Sequence, residues 1–360
     1  MKKFNVVIIA AGYSSRMEGF KPLLKFGNQS AVERVVSTYQ QAGVNQIILV
    51  LGHRADEIIP YFKNKPLQVV KNEKFDQGMY TSILKGITQL DQDSDAFFIH
   101  PVDIPLVKPK TVSQLMETSN RISKGIVYPA FLGKRGHPPL IDKKYQKPIL
   151  ENTMNGGLKK LLAVYEEDAF DLPLTDEAIL MDMDTRADYE ALLGYDNLMA
   201  PNLCECYAIW DNYQLPENIQ KHCEKVKQTA LGFAEQLSKK GLSLDQSALR
   251  AAALLHDIAR TGKNHAQKGG ELVRAMGYKK VGDIIADHID IVVEKNQAVT
   301  ENELLYLADK LVKNDQLTDL ETRKNQTLDF YKDNPEATEK IKLRYENAEA
   351  ILDKIKSKVC

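Results

Sequence analysis

Two groups of residues in this chain of 360 amino acids have types and spacings that suit phosphate or metal chemistry. In the first group, Gly12 ends the apolar run 6–10, and Ser14, Arg16 and Lys21 follow within nine residues. A loop of this kind leaves backbone N–H groups unpaired and adds two cations, which suits a triphosphate. An ordinary strand–turn–helix junction with surface charges is the alternative interpretation.

The second group consists of imidazoles and carboxylates in the second half of the chain. Its members are His222, His256, Asp257, His265, His288 and Asp309. This mixture suits Fe, Mn, Zn or Co, and Asp257 in the middle of the series could bridge two ions. A hydrogen-bonded His256–Asp257 pair in an apolar core would be the simpler interpretation if the pair stood alone.

Asp103 is the carboxylate of the first half with the most suggestive position. It follows the apolar and aromatic run 96–99 and has a proline two residues away on either side. Magnesium prefers one or two carboxylates together with phosphate oxygens, so a carboxylate at a strand end facing a triphosphate could hold it. Asp103 could instead cap the following turn.

The elements that position these residues differ between the two halves. Amphipathic segments separate the strand-like runs 6–10, 46–52, 67–72, 96–103, 125–131 and 178–184, which predicts an α/β fold with a mainly parallel sheet. Ligands in such sheets bind at the carboxyl ends of the strands. After Pro216 the pattern is helical throughout, which predicts an all-α second domain.

The lapse of periodicity between the two halves predicts the domain organisation. We expect a first domain over 1–196, a linker over 197–216 and a helical domain over 217–360. Trp210, the only tryptophan, either packs one domain on the other or anchors its own segment.

Composition excludes several classes of function. The residues are 43% apolar and 27% charged, as in folded proteins, and the formal net charge of −1 gives no global attraction to nucleic acid or to an anionic membrane. We expect neither partner. The four cysteines form no disulfide framework, and neither a membrane span nor a signal peptide is evident, so we expect a cytoplasmic protein.

The loop that opens the chain also carries a family resemblance. Ala-Ala-Gly-x-Ser-x-Arg-Met followed by Lys-Pro-Leu-Leu resembles the nucleotide-binding signature of the molybdopterin nucleotidyltransferases. Alanine at Ala11, rather than a second glycine, is similar to the molybdenum-cofactor cytidylyltransferase branch. The resemblance implies a Rossmann-like nucleotidyltransferase that transfers CMP from CTP to molybdenum cofactor (molybdopterin) with Mg²⁺ and releases pyrophosphate. A molybdenum hydroxylase would then receive the product.

The same resemblance implies roles for individual residues. Nucleotide contacts fall on Ala10, Ala11, Gly12, Ser14, Arg16, Lys21, Asn72, Gly78 and Ser82. Arg16, Lys21 and Asp103 would be catalytic, and Asp103 and Asp184 would bind Mg²⁺. Arg135 and His137 would contact the acceptor, and the segment that begins at Asn155 could meet the acceptor phosphate.

The second group resembles the HD superfamily of metal-dependent phosphohydrolases. The core positions of that superfamily match His222, His256, Asp257 and Asp309, and His265 and His288 match the histidines added in dinuclear members. The resemblance implies one or two transition metals and hydrolysis of a phosphate ester or anhydride. Two alternatives stay open: a sugar phosphate or phosphorylated alcohol as the acceptor of the first domain, and a second domain that is a metal-bound sensor or docking module without turnover.

Overall fold

The computed structural model describes residues 2–17, 19–152, 156–260, 262, 264–294 and 296–359. The chain divides into two compact units, Met1–Asn197 and Leu198–Cys360. Each unit has its own core and is described by itself.

The first unit is an α/β fold. Its strands are β1 (Phe4–Ala10), β2 (Lys25–Phe26), β3 (Gln29–Ser30), β4 (Gln46–Leu51), β5 (Gln68–Lys71), β6 (Ala96–Pro101), β7 (Ile126–Phe131), β8 (Lys134–Arg135), β9 (Leu140–Asp142) and β10 (Ala169–Pro173). Its α-helices are α1 (Ala31–Ala42), α2 (Ala55–Ile58), α3 (Met79–Ile87), α4 (Pro109–Arg121), α5 (Gln146–Leu150), α6 (Gly157–Ala163) and α7 (Arg186–Asp196).

One mixed sheet forms the centre of this unit, in the order β10-β7-β9-β6-β1-β4-β5, with β8 paired to β7. Strands β5, β4, β1 and β6 are parallel, whereas β9 runs antiparallel to both β6 and β7. All seven residues of β1 are buried, as expected for a strand covered on both faces. The predicted mainly parallel, Rossmann-like architecture is confirmed.

One predicted strand is wrong. The run 178–184 contains no strand: residues Glu177–Leu180 form a 3-10 turn, and residues 181–184 have no regular structure. The segment packs beside the loops that follow β8 and β6. His137 N donates to the Ile179 carbonyl, and Met183 N donates to the Asp103 carbonyl. The last parallel strand is instead β10, whose residues are mostly exposed and therefore give little apolar signal.

The second unit is helical. Its helices are α8 (Leu203–Asn212), α9 (Glu217–Lys239), α10 (Gln246–Leu255), α11 (His265–Ala275), α12 (Lys279–Ala286), α13 (Glu301–Leu311), α14 (Leu320–Phe330) and α15 (Pro335–Val359). A two-residue hairpin of β11 (Val312–Lys313) and β12 (Gln316–Leu317) is added to the predicted helices. Seven of the ten residues of helix α10 are buried because it lies in the core between its neighbours; among them, Leu249, Leu254 and Leu255 are fully buried.

The segment 197–216, predicted as a linker, contributes helix α8 to the second unit. Cys206, Ile209 and Trp210 belong to the hydrophobic core of that unit. Trp210 donates its indole N–H to the Leu254 carbonyl at 2.8 Å, so it anchors its own segment. Asn202 caps the helix by accepting from Glu205 N, which gives the segment a helix start that its irregular apolar pattern did not indicate.

Among the helices of the described residues, we find none whose length and apolar character would let it cross a membrane.

Candidate functional site

A cavity of about 520 Å³ lies at the carboxyl ends of β1 and β6. This is the edge at which parallel sheets bind ligands. Most of the nucleotide and metal residues predicted from sequence line it: Ala11, Gly12, Ser14, Arg16, Lys21, Gly78, Ser82, Asp103 and Asp184.

The loop after β1 is held in place from two sides. His53 N, just after β4, donates to the Ala11 carbonyl at 3.1 Å. Lys21 N donates to Ser14 Oγ at 3.1 Å, which closes the loop on itself. Ser14 has a φ of 58°, so the backbone makes a left-handed turn before Arg16. These bonds bring the two cations of the loop over the strand ends.

The cations of the loop meet the carboxylates of two distant segments. Lys21 Nζ lies 2.7 Å from Asp184 Oδ1 and 3.9 Å from Asp103 Oδ2. Arg16 Nη1 lies 2.8 Å from Asp184 Oδ2. Burial raises the pKa of Asp103, and the neighbouring Asp184 carboxylate adds to this effect, while Lys21 opposes it. A positive charge bound beside Asp103 would therefore stabilise its carboxylate.

Asp184 reaches this place because its segment is fixed on both sides. Met183 N donates to the Asp103 carbonyl at 2.8 Å, so the two carboxylates are tied together through the backbone. Immediately afterwards, Thr185 and Asp188 form a capping box that starts helix α7, and Asp188 also accepts from Asp184 N at 3.2 Å.

The donor set fits Mg²⁺. Two carboxylates converge on one ammonium group in a cavity large enough for a nucleotide, and oxygen ligands from one or two carboxylates are what Mg²⁺ takes when it binds with phosphates. Asp103 and Asp184 would hold the ion, and Arg16 and Lys21 would face the phosphates.

Two of the predicted nucleotide contacts do not line this cavity as far as the chain is described. Ala10 is buried in β1, where it pairs with Leu51. Asn72 is buried, and its amide donates to Ser82 Oγ and Thr81 Oγ1, both at 2.9 Å, while its Oδ1 accepts from Lys74 N. With its amide occupied in this way, Asn72 positions the start of α3.

The two predicted acceptor residues lie on β8, which pairs with β7, and just after it, and neither lines the cavity as described. The Arg135 guanidinium forms ion pairs with Glu166 and Asp171, and these carboxylates occupy Nε and both terminal nitrogens. His137 is exposed, and its backbone N donates to the Ile179 carbonyl at 2.9 Å. The acceptor role of both residues stays a prediction. For Arg135, the ion pairs weigh against a contact with the acceptor, because they occupy its guanidinium. Asn155 lies outside the described residues.

The cavity also contains residues that sequence reasoning missed, namely Tyr13, Phe75 and Met79. Each lies within or beside a loop that the sequence had already marked as ligand-binding. The signal that could have indicated them is the presence of aromatic or apolar side chains in loops that are otherwise polar.

The six histidines and aspartates of the second unit come together from five helices or their ends. His222 lies on α9, His256 and Asp257 follow α10, His265 begins α11, His288 follows α12, and Asp309 lies on α13. Two groups have ligand atoms within 4.8 Å of one another: His222, His256 and Asp257 in one, and Asp257, His265 and His288 in the other. Asp257 is common to both groups, which is the arrangement that two metal ions with a bridging carboxylate require.

Backbone carbonyls fix the orientation of three of the imidazoles. The Nδ1 atoms of His222, His256 and His288 donate to the carbonyls of Asn314, Ala253 and Ile285 at 2.7–2.8 Å. When these imidazoles are neutral, as metal ligands are, this assignment leaves Nε2 without a proton, so that it can bind a metal.

The Nε2 atoms of His256 and His288 are buried without a hydrogen-bond partner among the residues that the structure describes. An unpaired buried nitrogen is unfavourable. Burial lowers the pKa of His288 to about 3, so its imidazole is neutral, as a metal ligand must be. The residues present therefore fit a divalent metal.

Two family models match the chain. The model of the MobA-like NTP transferase domain covers residues 6–170, and that of the HD domain covers residues 219–314. The first unit is thus of the nucleotidyltransferase type, and the helical second unit contains an HD domain with candidate metal ligands. The chain joins a MobA-like NTP transferase domain to an HD domain.

Curated relatives match part of the chain. The bifunctional protein GlmU of Staphylococcus haemolyticus is 30% identical over 115 residues, which are 31% of this chain and 25% of that protein. Nicotine blue oxidoreductase of Paenarthrobacter nicotinovorans is 29% identical over 157 residues, 42% of this chain and 76% of that protein. The chain spans about a quarter of the length of the GlmU proteins that it matches.

Solved structures also align with the chain. A nucleotidyl transferase from Methanothermobacter has a TM-score of 0.48 and 23% identity, and the match covers 54% of this chain and 97% of that one. Rv0371c from Mycobacterium tuberculosis has a TM-score of 0.48 and 22% identity, over 54% of this chain and 98% of that one.

Proposed function

We propose that the first unit transfers CMP from CTP to the phosphate of molybdopterin in a Mg²⁺-dependent reaction that releases pyrophosphate. The convergence of Lys21 with Asp103 and Asp184 is the observation that carries this proposal. Two cations and two carboxylates in one cavity are what a magnesium–triphosphate complex requires.

In this proposal, Arg16 and Lys21 bind the triphosphate and offset the charge that develops on it. Asp103 and Asp184 hold Mg²⁺, which when bound neutralises phosphate charge. A phosphate oxygen of the acceptor forms a bond to the α-phosphorus, the bond from that phosphorus to the β-phosphate bridging oxygen breaks, and pyrophosphate leaves. No side-chain nucleophile is needed, because the positioned acceptor supplies the attacking oxygen.

The choice of CTP and molybdopterin rests on the signature around Ala11. A sugar phosphate or a phosphorylated alcohol is the rival acceptor. The name of the Paenarthrobacter relative shows that a protein similar to this unit is called an oxidoreductase. Paired cations and carboxylates suit phosphoryl chemistry, so we favour nucleotidyl transfer for this chain.

The test is pyrophosphate release by the full chain with Mg²⁺ and each nucleoside triphosphate, with molybdopterin or a panel of sugar phosphates. Asp103→Asn removes one metal-binding charge at nearly constant volume. Asp91→Asn, at an exposed position before β6, is the matched control. We expect Asp103→Asn to lose at least 100-fold in rate, in line with the loss of other preorganised charged contacts. Pyrophosphate release with sugar phosphates but not with molybdopterin would rule out molybdopterin as the acceptor.

We further propose that the second unit hydrolyses a phosphate ester or anhydride, with a nucleotide as one candidate substrate. The shared Asp257 and the inward-facing Nε2 atoms support this proposal. A transition metal (Fe, Mn, Zn or Co) held there would activate water. Arg260, whose guanidinium contacts Asp257 and is half exposed, is placed to bind a phosphate oxygen.

The alternative for this unit is a metal-bound sensor or docking module. Phosphatase assays with each metal on the full chain and on Asp257→Asn decide between them. Activity that depends on metal and on Asp257 supports hydrolysis, whereas a metal-loaded but inactive wild type supports the sensor. We place both activities in the cytoplasm, and a molybdenum hydroxylase would receive the product of the first unit.

A further inference from the structure

The cavity in the first unit is lined by aromatic rings as well as by cations and carboxylates. Tyr13 and Phe75 line it, with ring centroids 5.3 Å apart and planes tilted by 55°. His53 lies behind them, 4.9 Å from the Tyr13 ring and 6.2 Å from the Phe75 ring. The same cavity therefore offers flat apolar surfaces in addition to charged groups.

The cluster is built from three different strand ends. Tyr13 follows β1, His53 follows β4, and Phe75 follows β5. Gly52 makes the approach possible, because a Cβ at this position would lie 2.6 Å from Phe75 Cβ and 2.7 Å from the Ala11 carbonyl oxygen. Gly52 thus allows the Phe75 ring to pack beside the loop that holds the cations.

His53 has further support from behind. Its ring meets Phe20 edge-on at 5.9 Å, and the Arg54 guanidinium lies 4.6 Å from the Phe20 ring centroid. The aromatic surface is consequently backed by a second layer, which limits its freedom before a ligand arrives.

The front of the surface is open. Tyr13 is 53% exposed and Met79, which lines the same cavity, is 55% exposed. A hydrophobic cluster that served only to stabilise the loop would bury these side chains. Exposed aromatic and thioether groups facing a cavity are suited to cover a flat apolar ligand.

We propose that Tyr13 and Phe75, backed by His53, bind the heteroaromatic ring of the nucleotide by stacking. This inference rests on the proposed nucleotidyltransferase function and names base-binding residues for it. Triphosphate oxygens would meet Arg16 and Lys21, while the base lies against the aromatic rings. Stacking tolerates any base, so this surface supplies affinity for a nucleobase as a class.

The test compares a nucleotide with a ligand that has the same charged groups but no ring. Dissociation constants for CTP and for inorganic tripolyphosphate, both with Mg²⁺, are measured by calorimetry on the full chain. Tyr13→Ala should weaken CTP binding about tenfold, within the range of a lost base–aromatic stack, and leave tripolyphosphate binding within twofold. Tyr13→Phe should bind CTP like the wild type, because it keeps the ring.

Tyr61→Ala is the matched control, since Tyr61 is also exposed, at 42%, but does not line the cavity as described. Phe75→Leu is a second variant should Tyr13→Ala fold poorly, and it should weaken CTP binding selectively as well. Equal weakening of CTP and tripolyphosphate by Tyr13→Ala would overturn the inference, because the ring would then only support the loop.

The pterin of the acceptor is also a flat heteroaromatic ring, so a third titration uses molybdopterin. If Tyr13→Ala weakens molybdopterin binding and leaves CTP binding unchanged, the assignment to the nucleobase is overturned. Failure of the proposed function is distinguishable: the wild type would then bind CTP in a ring-dependent way and release no pyrophosphate with any acceptor.

Discussion

Asp184 pairs with both of the cations that we propose bind the triphosphate, so replacing it with asparagine should change nucleotide binding in opposite directions with and without magnesium. The carboxylate pairs with Lys21 at 2.7 Å and with Arg16 at 2.8 Å. A triphosphate that binds without metal must take both cations away from Asp184. A magnesium–triphosphate complex instead needs the Asp184 charge as a metal ligand.

The magnitude follows from how exposed each pair is. The Lys21 side chain is only 11% exposed, and a hydrogen bond between charged groups contributes about 1.5–3 kcal/mol. The Arg16 side chain is 71% exposed, so its pair contributes at most about 1 kcal/mol. Allowing for new contacts from asparagine, we expect metal-free CTP to bind Asp184→Asn about tenfold more tightly, which corresponds to about 1.4 kcal/mol.

The assay is calorimetric titration of CTP in EDTA and again in Mg²⁺. Asp182→Asn is the matched control: it removes the same charge from the same segment at an exposed position two residues earlier. In Mg²⁺, Asp184→Asn should bind CTP more weakly than the wild type. Weaker binding by Asp184→Asn in EDTA, or equal tightening in the control, would refute the reasoning that Asp184 competes for Lys21 and Arg16.

Three further predictions concern stability and metal content. Burial lowers the pKa of His100 to about 4, below its ordinary 6.5, so the unfolded chain takes up a proton first as the pH falls. This group should cost the first unit about 2 kcal/mol of unfolding free energy between pH 7 and pH 5 in urea titrations. His100→Gln should make the slope shallower without abolishing it, because desolvation also lowers the pKa of His137. Asp176, 2% exposed, accepts from Lys108 N at 2.9 Å and Thr111 Oγ1 at 2.6 Å, so Asp176→Ala should destabilise the unit by about 2 kcal/mol, and an unchanged melting temperature would contradict this. In the second unit, His265→Ala should lower the metal content measured by elemental analysis from about two ions to one, because His265 belongs to one ligand group. Asp257→Asn should lower the occupancy of both metal positions, because Asp257 belongs to both groups. Equal losses of metal in the two variants would argue against a shared carboxylate.

The sequence predicted the elements whose signal is local. Continuous apolar runs marked β1, β4 and β6, since these strands are covered on both faces. The antiparallel strand β9 and the exposed strand β10 were missed, because a strand of three residues or a strand at the sheet edge carries little apolar pattern. The apolar residues of 178–184 pack against neighbouring loops of the chain. The apolar pattern alone cannot distinguish this kind of burial from that of a strand.

The sequence predicted which residues belong to the candidate sites better than it predicted which partners those residues contact. Lys21 and Asp103 line one cavity because they follow strands whose ends meet at one edge of the sheet. Asp184 joins them from a segment without regular structure, which is tied to Asp103 through Met183 N. The ion pairs of Arg135 with Glu166 and Asp171 depend on the position of β10, which the sequence did not predict. Asn72 illustrates the same limit, since its partners are set by how α3 begins.

The central claim is the transfer of a nucleoside monophosphate by the first unit, and the most direct measurement is the mass of the acceptor after reaction. The full chain is incubated with Mg²⁺, CTP and molybdopterin, and the acceptor and pyrophosphate are both quantified. We predict molybdopterin that has gained one CMP, with one pyrophosphate released for each. Pyrophosphate without modified acceptor, or no reaction with any nucleoside triphosphate and acceptor, would contradict the account.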